Sequence, residues 1–161
     1  MAEQVLVTEA DGYEDGSSWI GNDLYISDNV WSGASFLLTA EIPAGSTIDS
    51  AYLRLYALTF NSGGSSDTVA LEVENADPDA VAAFSATHLP SSQTYFATIN
   101  SAAHAAWTEY QNMWLLGAGD AIATNIAAAL QSLVTAYGTL AVGDRINIRW
   151  RGSGSGSYIQ V

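Results

Sequence analysis

Short runs of alternating apolar and polar residues, each closed by Gly, Asn, Ser or Asp, constrain this chain more than any other feature. Within Ala51 to Phe60, Leu53, Leu55 and Ala57 share one side while Tyr52, Arg54 and Tyr56 share the other. Thr68 to Glu74 repeats the pattern, with Val69, Leu71 and Val73 opposite Ala70, Glu72 and Glu74. Near the C-terminal end, Ile146, Ile148 and Trp150 are expected inward, and Arg145, Asn147, Arg149 and Arg151 outward. A period of two interrupted by turn residues predicts antiparallel strands with one buried and one solvated face.

Further strands are expected at Val5–Thr8, Asp23–Ser27, Ser35–Glu41, Tyr95–Ile99 and His104–Tyr110, the last carrying Trp107, with a short apolar patch at Met113–Leu116. Asp11 to Ser18 reads as an acidic, turn-rich loop. Gly152 to Gly156 reads as a hairpin that pairs Tyr158–Val161 back. Residues 75–101, broken by Pro78 and Pro90, are left open between strands and a loop that clasps a partner. One helix interrupts the β pattern at about residues 125–137. Ile126, Leu130, Leu133, Val134 and Tyr137 recur at helical spacing, Thr124 is placed to cap the start, and Gly138 suits a left-handed stop. Eight to ten short strands and one helix predict an all-β fold: an antiparallel β-sandwich of jelly-roll type, as a single domain over residues 1–161.

With 161 residues and no Cys, the chain must form its core by packing without disulfides. Its net charge is −13, from 17 acids against four arginines and no Lys. That balance opposes binding to nucleic acid or to anionic lipid through phosphate neutralisation. Apolar stretches fall short of a membrane span, and Met1 to Val5 has neither the basic nor the apolar region of a secretion signal. A complete, tail-free domain that stays in the cytoplasm where it is made is the expectation. Fourteen of the acids lie before residue 81, beside Arg54 alone, while the remainder is neutral. This polarity suits either a solvated acidic face or ordered association between copies.

The stretch Asp11-Gly-Tyr-Glu-Asp-Gly16, then Ile42-Pro-Ala-Gly-Ser-Thr-Ile-Asp-Ser-Ala-Tyr-Leu-Arg-Leu55, resembles the strand-turn-strand segment of jelly-roll domains of the DNRLRE type and of carbohydrate-binding modules. Trp107 and Trp114, the run Asn-Ile-Ala-Ala-Ala-Leu-Gln-Ser-Leu-Val from Asn125, and the Gly-Ser-rich closing hairpin are similar to the later part of the same family. The resemblance spans most of the chain and rests on structural motifs. It implies a jelly-roll fold, and a setting in bacterial surface proteins or in virion components of tailed bacteriophages.

Catalytic equipment is sparse. His88 and His104 are the only histidines, no Gly-x-Ser-x-Gly elbow occurs, and among 17 acids some close pair is inevitable and therefore uninformative. Asp11, Glu14 and Asp15 are the candidate calcium ligands, because hard oxygen donors gathered in a turn suit that ion, although no EF-hand spacing is present. Trp19 and Trp31, in a polar region, are the candidate glycan-stacking residues. Tyr52, Arg54 and Tyr56 on one strand face are candidates for contact with another chain, or else form a cross-strand cluster. Arg145, Arg149 and Arg151 require an acidic neighbour, supplied within the molecule or by a second subunit. In the second case head-to-tail association would close a ring, with a trimer as the expected size.

These readings lead to one expectation: a non-enzymatic virion structural protein of a tailed bacteriophage, assembled in the host cytoplasm. It would be a capsid decoration protein or tail component binding major capsid or tail subunits, with no cofactor other than a structural calcium. The competing expectation is a carbohydrate-binding module or host-receptor adhesin.

Overall fold

The computed structural model describes Leu6 and residues 8–26, 30–56, 59–60, 69–100, 112–114, 126–152 and 159–160. The strands are β1 (Thr8–Asp15), β2 (Ser18–Gly21), β3 (Tyr25–Ile26), β4 (Trp31–Leu37), β5 (Arg54–Tyr56), β6 (Thr59–Phe60), β7 (Val69–Val73), β8 (Ile99–Asn100) and β9 (Asn112–Trp114). Helix α1 (Ala127–Tyr137), β10 (Arg145–Gly152) and β11 (Ile159–Gln160) follow. The protein is all-β with one short helix among the described residues. Its largest sheet is antiparallel, ordered β2-β1-β4-β10-β7-β8, with β3-β11-β6 and β5-β9 as smaller groups.

The parity expected for β7 and β10 holds. Val69, Leu71, Val73 and Trp150 are all 0% exposed, and Ile146 and Ile148 are buried beside them. Pairing Ile148 with Val73 on one side and with Ala34 on the other puts all of these side chains on a single face. Ile126, Ala129, Leu133 and Val134 of the helical segment join them in one core, together with Leu38, Leu53 and Leu140. The Trp150 indole N–H donates to the Tyr25 carbonyl at 3.1 Å, so its polar atom is satisfied inside the core.

Helix α1 is fastened by its own side chains. Gln131 accepts from the Ile48 N–H at 2.8 Å and donates to the Ser46 carbonyl at 3.0 Å, tying the 46–48 segment to the helix. Gly138, at φ +83°, ends the helix as expected, and its N–H bonds to the Val134 carbonyl. The residue at the N-terminal boundary is Ile126, which makes no side-chain cap; Thr124 lies outside the described residues.

Three expectations are corrected. The stretch from Asp11 is strand as far as Asp15, not loop. Asp15 pairs with Ser18, which leaves Gly16 (φ +62°) and Ser17 as a two-residue hairpin connection. β11 does not pair with the strand before it; it lies between β3 and β6. The polar face of β10 is not solvated: Asn147 is 1% exposed and Ser35 beside it is 0%. Residues 75–98 run across that face. The segment expected at His104–Tyr110, including Trp107, falls outside the described residues.

A candidate functional site: the polar layer under the 75–98 strap

The face of the large sheet opposite the core carries Gly12 and Glu14 from β1, Trp19 from β2, and Trp31, Gly33 and Ser35 from β4. It continues with Glu72 from β7, Glu74 just after it, and Arg145, Asn147 and Arg149 from β10. Strand alternation and register bring these together: Gly33 stands opposite both Gly12 and Arg149, Ser35 opposite Asn147, and Glu72 opposite Arg149.

The strap is held largely by its backbone. Arg145 donates to the Val81 carbonyl, Asn147 to the Ala82 carbonyl at 2.8 Å, and Arg149 to the Pro90 carbonyl at 2.8 Å. Ser35 Oγ accepts the Phe84 N–H at 3.0 Å, and Glu14 accepts both the N–H (2.7 Å) and the hydroxyl of Ser91. A loop crossing a sheet face would otherwise bury unpaired peptide groups, so a polar face is what this strap requires. Space for it comes from glycine. A Cβ on Gly33 would stand 2.7 Å from the Phe84 ring, and one on Gly12 would stand 2.7 Å from the Trp19 ring. Trp19 and Phe84 meet over this glycine pair with ring centroids 5.9 Å apart.

Beyond the strap's centre, the Arg149 guanidinium lies 3.6 Å from the Tyr95 ring centroid and 3.9 Å from that of Trp31. Its Nε donates to Glu72 at 2.6 Å, and both partners are 13% exposed. Arg151 approaches the Trp31 ring at 4.6 Å and is exposed. Arg145 pairs with Glu9 at 2.7 Å, which holds the Glu9 carboxyl below its ordinary value and raises Arg145 above its own. Burial pushes the Tyr95 phenol well upward, only partly offset by the Arg149 charge; Glu74, Glu72 and Glu14 add to the rise. Its hydroxyl donates to the Pro90 carbonyl at 2.7 Å. Glu74, 4% exposed, accepts from Asn147 Nδ2 at 2.8 Å and faces His88 Nε2 at 3.1 Å.

The residues singled out from sequence are dispersed by this geometry. Glu14 points under the strap, while Asp11 and Asp15 have the opposite strand parity, so the three do not converge. Among the described residues no three His, Cys, Asp or Glu side chains gather as a metal group. Trp19 packs on Gly12 and Phe84, and Trp31 lies against two guanidiniums, so neither ring stands alone in solvent. Of the arginine row, Arg145 and Arg149 take the intramolecular alternative, through Glu9 and Glu72. Tyr52 is 38% exposed. Arg54 and Tyr56 lie on β5, paired with Trp114 and Asn112 of β9, and their side chains lie outside the described set.

Sequence reasoning passed over Glu72, Glu74, His88, Tyr95 and Asn147. One signal was present: a strand face mixing Arg and Asn, next to a strand offering Gly33 and Ser35, combines donors with room for a covering segment. No protein-family model, no curated protein and no solved structure matches the chain.

Proposed function

We propose that the chain is a non-catalytic structural component of a tailed-bacteriophage virion, a capsid decoration protein or tail component that docks a stiff exterior on neighbouring coat or tail subunits. One observation carries the reading. The groups best suited to chemistry or sugar stacking are spent on one another: Arg149 with Glu72, Trp31 and Tyr95; Glu14 with Ser91; Trp19 with Phe84. Cross-bracing of this kind stiffens a surface. Its product is shape, and shape is what a protein needs when it recognises an assembled lattice and not its loose parts.

The finer architecture in this reading is a jelly-roll sandwich, with β3-β11-β6 and β5-β9 contributing to a second layer across the core from the large sheet. Exposed Tyr52 and Arg151 remain available for contact with coat subunits or with further copies in a homo-oligomer such as a trimer. Cryo-electron microscopy of particles assembled with and without the chain tests the proposal. Density for the chain at regular lattice positions, and earlier heat disruption of particles lacking it, are the expected results. Failure to enter any particle overturns the proposal. Glycan-array binding that disappears in a Trp19→Ala, Trp31→Ala double variant would replace it with the carbohydrate-binding reading.

A further inference from the structure

Strand β2 turns backbone groups away from the molecule. The Asn22 N–H donates to the Asp11 carbonyl at 3.1 Å, so the pair at that end of the β1–β2 hairpin is a hydrogen-bonded one. Bonded and non-bonded pairs alternate along an antiparallel ladder. Tyr13 with Ile20 and Asp15 with Ser18 are therefore bonded, while Glu14 with Trp19 and Gly12 with Gly21 are not. On β1 the residues left over, Gly12 and Glu14, turn their groups to β4. On β2, the last strand in the order of the large sheet, Trp19 and Gly21 turn theirs outward. Among the described residues neither finds a backbone partner on that side, and Ser18 and Gly21 are exposed.

An open edge invites pairing, and proteins usually guard one with Lys, Pro or a bulge. Ser18-Trp19-Ile20-Gly21 carries no charge and no Pro, and its ladder with β1 runs without a register shift. Charge stands at its two ends instead. Asp15 is exposed beside the hairpin connection, and Asp11 faces Asn22 at the other end. Asp11 also helps Thr8, Glu9, Ala10 and Asn22 line an open dent of about 240 Å³. Glu9 is already shared with Arg145, whereas the Asp11 carboxylate makes no ion pair among the described residues. A second copy laid antiparallel on this edge would bring its Asp15 end to the Asp11 end of the first, acid against acid, in a chain of net charge −13. Like charges in such a register discourage self-pairing and favour a partner of opposite sign.

We propose that β2 is a docking edge for an extended segment of another protein, with Arg or Lys at the ends of that segment, which joins the large sheet as a further strand. Laid antiparallel, one residue of the segment exchanges both of its backbone bonds with Trp19 and the next but one does so with Gly21, four hydrogen bonds in all. A basic side chain past the Gly21 end enters the dent beside Asp11, and one past the other end faces Asp15. Backbone bonds supply affinity with little regard to sequence, and the flanking acids supply the choice of partner. Asn22, at φ +66°, turns the chain away after Gly21 and keeps the pairing short. Such an edge serves with or without a place in a virion; within one, the segment belongs to a coat or tail subunit.

Two-dimensional NMR of the full chain, titrated with a short alternating Thr/Val peptide carrying Arg at each end, tests the proposal. Peptide at about 1 mM, enough to reveal weak binding, is expected to shift the Trp19 and Gly21 amides and those of Asp11 and Asn22, and to slow hydrogen exchange at Trp19 and Gly21. The same peptide with Glu at each end is expected to bind about tenfold more weakly, a difference that shrinks in high salt. Asp11→Asn combined with Asp15→Asn is expected to weaken the Arg peptide about threefold. The comparison of the two peptides on the unaltered chain decides the matter even where that double variant folds poorly. No shift at Trp19 and Gly21, or equal binding of the Glu peptide, overturns the proposal. So do shifts at these amides that grow with protein concentration in the absence of peptide, which would assign the edge to a second copy.

Discussion

Gly33 shows how much one missing side chain can decide. Its place at the centre of β4, opposite Gly12, lets the Phe84 ring pack directly on the strand where any Cβ would collide with it at 2.7 Å. Gly33→Ala is therefore expected to destabilise the protein by about 1–3 kcal/mol, the usual cost of overpacking, measured as a lower urea midpoint at unchanged slope. Glu14 is the polar counterpart. It is 6% exposed, and its carboxylate accepts both the N–H and the hydroxyl of Ser91. Glu14→Ala leaves that strap amide without its acceptor, for an expected loss of about 1–3 kcal/mol in the same urea titration. Neither role was legible from the residue itself. Gly33 reads as a weak point in a strand and Glu14 as one acid among many, because each acts on a segment more than 50 positions away.

Elements were easier to read than their partners. The inward parity of β7 and β10 and the body of α1 follow from periodicities that a single segment displays, and Val69, Leu71, Val73, Ile146, Ile148, Trp150, Leu133 and Val134 are buried as expected. The fate of the opposite face was not legible. Whether Arg145, Asn147 and Arg149 meet water or a covering chain depends on where residues 75–98 travel, and that segment has no period of its own. Its N-terminal half is tied by Arg145, which also grips Glu9. Because the Glu9 carboxyl is held below its ordinary value near 4.5, the pair stabilises the fold above that pH, and the contribution is lost as pH falls through the lowered folded-state value. Arg145, raised above its already high ordinary value, stays charged throughout. The stability difference between the unaltered chain and Glu9→Gln is accordingly expected to be small and flat from pH 7 to 5, then to vanish on further acidification, as followed by thermal melts. A difference that grows on acidification would contradict the pairing. The pair is partly exposed, with side chains 23% and 35% accessible, so the effect should also shrink in high salt.

Across the whole molecule, the large sheet sits between an apolar layer containing α1 and a polar layer formed by the strap. The two are bonded differently, so they should open differently. Amides of β4, β7 and β10, under fully buried residues such as Leu71 and Trp150, are expected to exchange hydrogen only through global unfolding. Strap amides held by side chains, such as those of Phe84 and Ser91, are expected to exchange through a smaller local opening, and native-state hydrogen exchange resolves the two classes. Equal protection in both would mean that strap and sheet unfold as one unit. Strand parity, the helix, its glycine stop and the all-β class were determined by the amino-acid sequence alone, because hydrophobic burial acts on periodicities of two and 3.6 residues within short windows. Tertiary structure alone decided that β11 pairs away from its predecessor, that Arg145 and Arg149 are satisfied internally, and that Glu74, His88 and Asn147 meet. Those outcomes depend on contacts between groups far apart along the chain, whose proximity no local pattern encodes.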